Sequence, residues 1–309
     1  MVGMAQIAPP APRRAPAHPA PHGEPRRPAA TPRRRVFTVP PVWRELLLII
    51  LFYTGYSLTR IVLVQDGTAS AFAHADQILR LEGVLGLDVE RSLNQALLEL
   101  PWLARAANVF YATMHFAVTL GMVVWLYLRR PHDYRWLRTS LMVATGVAVL
   151  GFWLYPLAPP RFLHEEGFVD PVTALQSFGL YASDASATMT NQYAAMPSMH
   201  AGWALWCGFI LVRLSSRRWL KALGVLYPAT TTLVILATAN HYLLDAVAGF
   251  AVVAGALALS WLLYVRRPRR LLDARDRLLR RPVAAPAPAP HPRAAAGDRP
   301  EPVAAGQSA

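Results

Sequence analysis

The sequence predicts an all-α polytopic membrane protein with six transmembrane helices, and three observations carry that prediction. Apolar residues make up 54% of the 309-residue chain and charged residues only 16%, where an ordinary soluble domain carries roughly 25% charge. Six apolar stretches, at about 46–65, 106–128, 137–156, 198–214, 219–239 and 243–264, approach the roughly 20 residues that cross a bilayer. Basic residues bracket these stretches: with both tails in the cytoplasm, 26 of the 31 Lys and Arg fall on the cytoplasmic side, the bias that orients membrane proteins.

Taken in order, residues 1–42 form a Pro/Arg-rich cytoplasmic tail expected to be disordered, since 11 of the 27 prolines lie before residue 42 and nothing there can pack a core. Neither a cleaved signal peptide nor an amphipathic transit helix fits it. Residues 43–266 are the six-span membrane domain. After the first span, 67–104 places Leu81, Leu85, Leu93 and Leu97 among Asp76, Glu82, Asp88 and Glu90, which reads as short amphipathic helices at an interface. The second and third spans follow, joined by a basic loop. The fourth stretch is the shortest and is expected to begin a few residues early or to tilt. The fifth and sixth are joined by a turn at 240–242. Residues 267–309 return to a basic, Pro/Ala-rich tail, mostly disordered and cytoplasmic.

Composition also excludes partners. The net charge of +13 flanks apolar runs rather than covering a soluble face, so it describes orientation and membrane lipid contact, with no nucleic acid. Cys207 is the single cysteine; no intrachain disulfide or cysteine-based zinc site is possible, and it reads as a small buried hydrophobe. No metal set is evident, no cofactor is expected, and nicotinamide and nucleotide loops lack their glycine-rich context.

Polar groups near membrane helices are costly unless paired or facing a cavity, so their convergence is informative. Three clusters come to one membrane face, the extracytoplasmic one: Tyr155-Pro156-Leu157-Ala158-Pro159-Pro160-Arg161, Met196-Pro197-Ser198-Met199-His200, and Asn240-His241-Tyr242-Leu243-Leu244-Asp245. His241 and Asp245 are four apart, so on a helix they share a face. The carboxylate then orients the imidazole and leaves its other nitrogen for nucleophilic attack. On a phosphoryl group that attack makes a phosphohistidine, with His200 protonating the departing oxygen and later assisting water or an alcohol. Arg161 supplies a planar donor fork for phosphate; alone, it reads equally as an arginine snorkelling to head groups. Ser198 either caps the fourth helix or donates to phosphate, capping being favoured. Asn240 reads as a cap of the last helix and Tyr242 as lining the entrance, and both are counted with Arg161 and Ser198 among the candidate substrate or phosphate contacts. Tyr111 and His115 either reach the cavity to contact substrate or pack with one internal hydrogen bond. Glu82, Glu90 and Arg91 read as solvated, with a lid or head-group role as the alternative.

At these residues the chain resembles the type-2 phosphatidic acid phosphatase superfamily, and within it the inositol-phosphorylceramide-synthase-like branch, over about 100–265. The resemblance implies that superfamily's helical core, with His241 as nucleophile, Asp245 as its orienting partner, His200 as acid and base, and Arg161 on phosphate, in metal-independent phosphoryl transfer. It implies a lipid-phosphate or lipid-linked head-group donor and either water or a small alcohol as acceptor. Two departures stand out. The general phosphatase pattern has Ser-Arg seven and six residues before the nucleophile, where this chain has Val234 and Ile235, and Gly before the second-motif histidine, where it has Met199. Both favour the inositolphosphotransferase-like branch, hence transfer to an alcohol such as inositol or a sugar over hydrolysis, and one phosphate-binding arginine is missing. The expectation is an integral protein of a bacterial plasma membrane. The alternatives are a lipid-phosphate or polyprenyl-diphosphate phosphatase, or a non-catalytic lipid-phosphate transporter, for which internal repeats are absent.

Overall fold

The computed structural model describes residues 40–63, 68–178 and 192–266, and every regular element among them is helical. The tails expected at 1–42 and 267–309 lie outside the described residues apart from 40–42, as do 64–67, at the end of the first expected span. The helices are α1 (Val42–Leu63), α2 (Thr68–Leu85), α3 (Glu90–Leu98), α4 (Pro101–Arg129), α5 (Pro131–Leu154), a single turn α6 (Pro171–Ala174), α7 (Met199–Leu214), α8 (Arg218–Ala237) and α9 (Leu243–Trp261). A π-helical turn, Leu262–Arg266, prolongs α9.

Among the described residues four helices are long and apolar enough to cross a membrane: α4, α5, α8, and α9 with its extension. Two begin earlier than their apolar stretches suggest. Pro101 and Pro131 each occupy a first-turn position, where a missing N–H costs nothing, and the added turns carry Arg105 in α4 and His132, Asp133 and Arg135 in α5, which an apolar pattern alone does not take in. Of the two expectations for the fourth apolar stretch, the earlier start is not met. The helix starts at Met199 because Ser198 is extended and its hydroxyl accepts from the Ala201 N–H at 3.4 Å, an N-cap that fixes the start. Within the expected 67–104 segment, Thr68–Leu85 and Glu90–Leu98 fold as helices, α2 and α3.

Packing follows small residues. Along α5, Leu137, Leu141, Ala144, Ala148 and Phe152 recur at three- and four-residue steps and are buried, forming one face with Trp206, Ile210 and Val253 among its neighbours in the core. Trp206 satisfies its indole N–H by donating to the Leu137 carbonyl at 3.2 Å and to the Ser140 hydroxyl at 3.0 Å. Cys207 lies fully buried beside it. Helices α7 and α8 meet backbone to backbone at Gly208 and Gly224, where a Cβ on Gly208 would overlap the Gly224 carbonyl. Gly208→Ala should therefore force these helices apart and cost about 1–3 kcal/mol. A lowered thermal midpoint of the detergent-solubilised chain checks this, with Gly55→Ala, where a Cβ meets nothing within 4 Å, as the control.

Alternating helix directions place the two bundle ends. At one, Glu45 near the start of α1 accepts from Tyr134 at 2.9 Å and pairs with Arg138 at 3.0 Å, while Arg130 donates to the Leu214 carbonyl at 3.1 Å. At the other end the three polar clusters converge.

Candidate active site

Three close approaches assemble this end. Helix α8 closes with a turn in which Ala239 N–H bonds the Leu236 carbonyl at 2.9 Å and Asn240 N–H bonds the Ile235 carbonyl at 3.0 Å. That pattern takes a left-handed residue after the helix, and Ala239, at φ 51°, occupies a region alanine rarely enters. The turn aims Ala239's carbonyl at the first cluster, where it accepts from Arg161 N–H at 2.8 Å. Meanwhile α9 passes so close to the start of α7 that a Cβ on Gly249 would overlap the Ser198 carbonyl, and Ser198 N–H bonds the Asp245 carbonyl at 2.9 Å. His200 and the His241–Asp245 pair are thus placed by backbone contact.

His241 is 4% exposed and Asp245 fully buried. His241 Nδ1 lies 3.3 Å from Asp245 Oδ2. The pair forms for a reason other than the shared helix face expected from its spacing. His241 lies in the extended entry to α9, and Asp245, in the first turn, reaches back, its Oδ2 also accepting from Tyr242 N–H at 3.0 Å. One carboxylate therefore caps the helix and holds the imidazole. Across from it, the His200 ring lies 5.6 Å from His241, centroid to centroid, at 56°. Nε2 of each ring is buried and has no hydrogen-bond partner among the described residues.

Arg161 sits in the 3₁₀ turn Pro160–Phe162 and is 4% exposed, so it does not snorkel to the membrane surface. Its Nη1 donates to Asn240 Oδ1 at 2.7 Å, and its guanidinium lies over the Phe162 ring at 4.6 Å. Asn240, next to His241, spends its own amide on the Thr238 hydroxyl at 2.8 Å. It orients Arg161 rather than capping α9, which corrects that expectation. Tyr242 is likewise not at an entrance: it is fully buried, and its hydroxyl donates to the Ala158 carbonyl at 3.2 Å. Ser198 caps, as favoured.

Tyr111 and His115 form a wall around His200. Tyr111 stacks on it at 4.2 Å and 16°, and His115 lies 4.0 Å from it, while His115 Nδ1 takes the Tyr111 carbonyl at 3.0 Å. The two residues pack together with this hydrogen bond between them, and the surface they pack against is His200 itself. Ile235, where the general pattern has arginine, is fully buried with Ala201, Leu236 and Ala246; no cation reaches the site from there.

Glu82 and Glu90 correct the expectation of solvated side chains. Both are fully buried, and each accepts a backbone N–H at the start of α9, Glu90 from Leu243 at 2.5 Å and Glu82 from Leu244 at 2.7 Å. Burial, with Glu90 and Asp245 as like-charged neighbours, pushes Glu82 up to about 8, and burial, with Asp245 as a like-charged neighbour, raises Glu90 as well. Arg91 instead meets Glu166 at 3.5 Å on the exposed surface, beside a cavity of about 300 Å³ lined by Asp76, Leu79, Arg80, Asp88, Arg91 and Glu166, none of which belongs to the histidine cluster. His74, which the sequence did not single out, stacks on Tyr155 at 4.0 Å and meets the Pro156 carbonyl at 2.7 Å, bracing the first cluster. Among the described residues no group of three or more His, Cys, Asp or Glu is placed to hold a metal ion.

A family model for the PAP2 superfamily matches residues 76–259, more than half of the chain and every residue of the histidine cluster. No curated protein and no solved structure matches.

Proposed function

This chain belongs to the PAP2 superfamily, and from that membership we propose that it transfers a phosphoryl or phosphorylated head group from a membrane lipid through a phosphohistidine at His241. The membership carries the coarser statement, phosphatase or phosphotransferase chemistry on lipid phosphates, in a chain whose apolar helices mark an integral membrane protein. The observation that supports the finer one is the facing pair of imidazoles: His241 held by Asp245 through Nδ1, His200 opposite, and both Nε2 atoms without a hydrogen-bond partner among the described residues.

The bonds balance as follows. His241 Nε2 attacks phosphorus; an N–P bond forms and the bond from phosphorus to the leaving oxygen breaks, with His200 giving that oxygen its proton. Asp245 keeps the Nδ1 proton in place and favours the positive charge that develops on the ring. The acceptor hydroxyl then loses its proton to His200 as its oxygen attacks phosphorus, and the N–P bond breaks. Arg161, oriented by Asn240, contacts the non-bridging oxygens, and Tyr111 and His115 hold His200 and exclude water from its face. All of these groups are side chains, and we assign no metal to the reaction.

An alcohol acceptor such as inositol or a sugar is favoured over water by Ile235 and Met199, which stand where the general phosphatase pattern has Arg and Gly. Six spans are reached by adding α1, of 22 residues, and α7, of 16. The short α7 covers about 24 Å and is lengthened by the extended segment before it. With 26 of 31 basic residues outside the site end, that end is assigned to the extracytoplasmic face of the plasma membrane and both tails to the cytoplasm.

The test is purified full-length protein with radiolabelled lipid phosphates, with and without inositol and simple sugars. Expected are acid-labile protein phosphate, turnover that a chelator leaves unchanged, and a labelled alcohol product when the acceptor is supplied. Free phosphate alone, whatever the alcohol, would make the chain a phosphatase; label carried by no product and no protein would sink the enzymatic reading.

A further inference from the structure

Glu82 and Glu90 take no part in the chemistry above, yet burying two carboxyl groups side by side is costly without a compensating role. Their meeting is built into the backbone. Helix α2 ends at Gly86, whose φ is 66°, and Leu87 N–H reaches back to the Glu82 carbonyl at 2.8 Å, a closing turn that uses glycine's freedom. The chain reverses, and Glu90 opens α3 beside Glu82. On α3 the buried face is Glu90, Asn94 and Leu97, at helical spacing, and Asn94 donates to the Ala237 carbonyl at 3.0 Å. That face is polar because it meets two helix ends, the last carbonyls of α8 and the first amides of α9.

Three consecutive amides are held there by carboxyl groups from three helices: Tyr242 by Asp245, Leu243 by Glu90 and Leu244 by Glu82. Free amides at a helix start are an ordinary phosphate site, so their occupation matters next to a residue that attacks phosphorus. The raised carboxyl of Glu82 keeps a proton in the pair through neutral pH, which lets two acids share one buried place.

We propose that Glu82 and Glu90 are positioning residues: by gripping the Leu243 and Leu244 amides they fix the entry to α9, hold Asp245 against His241, and leave Arg161 as the anion contact. The inference rests on His241 as the attacking group.

The test uses the full-length chain in detergent with E82Q, E90Q, E82L and E90L, assayed on a labelled lipid phosphate, with hydrogen exchange followed in peptides covering 240–246. Glutamine keeps an acceptor oxygen and imitates the protonated acid, so E82Q and E90Q should stay within about threefold of wild type in kcat. Leucine removes the acceptor: kcat should fall at least about tenfold with KM within about twofold, and exchange at Leu243 and Leu244 should rise about tenfold. Leucine variants as active and as protected as the glutamine ones would overturn the proposal. So would glutamine variants that fold but lose as much kcat as leucine. Should H241A turn over normally, the reading of His241 fails, while the exchange data still judge the grip on α9.

Discussion

Replacing His241 with alanine should lower turnover of a lipid phosphate by at least about ten-thousandfold and abolish acid-labile protein phosphate. The loss is that large because nothing else among the described residues can take the role. Among the described residues His200 and His115 are the other imidazoles within ring contact of the cluster; of the three only His241 is paired with a carboxylate, and Asp245 has its Oδ2 committed to His241 and to Tyr242 N–H. Asp245→Asn is the informative companion. An asparagine oxygen can still accept from Tyr242 N–H, so the helix cap survives, but the charge that favours the imidazolium is gone. A fall of about a hundred- to a thousandfold in kcat with little change in KM is expected. Rapid-quench measurement of protein phosphate separates the two variants: none in His241→Ala, slow accumulation in Asp245→Asn. Normal phosphoprotein in His241→Ala would reassign the nucleophile.

Residue spacing alone made parts of this site legible and hid others for physical reasons. His241 and Asp245 were paired from their separation, and the pairing holds although the helix-face geometry behind it does not: a carboxylate in the first turn can reach back past the helix start, so an i, i+4 acid has two ways to meet the same imidazole. Arg161 stood out because it is one of the few basic residues on its side. Asn240 and Tyr242 were misplaced because both follow a turn closed by Ala239, an alanine at φ 51° that carries none of the glycine signal such turns usually show. Acids in an amphipathic stretch normally face water, so the sequence alone points Glu82 and Glu90 outward. Their partners are amides about 150 residues further along, at Leu243 and Leu244, and a backbone N–H leaves no mark on the sequence. What was available was the spacing of Glu90, Asn94 and Leu97, which puts two polar groups and an apolar one on one face of α3.

Arg161→Ala should reduce kcat/KM about a hundred- to ten-thousandfold, and Arg161→Lys should recover little of it. The reason lies in how the guanidinium is held. It is almost fully buried, its plane is laid over Phe162, and one arm is fixed by the Asn240 carbonyl oxygen at 2.7 Å. A lysine ammonium has the charge but not the planar face that lies over Phe162, nor the rigid fork whose parallel N–H groups match two phosphate oxygens. With Ile235 sealed in the apolar core where the general pattern has a second arginine, the proposed anion contact depends, among the described residues, on this fork. Asn240→Ala provides the graded case, since it keeps the cation and loosens its aim, and about a tenfold fall is expected, mainly in kcat because aim matters most as charge builds in the transition state. Measuring kcat and KM for all three variants on one lipid phosphate decides the matter. Arg161→Lys at wild-type activity would mean that a point charge suffices, and Asn240 would then have no orienting work to do.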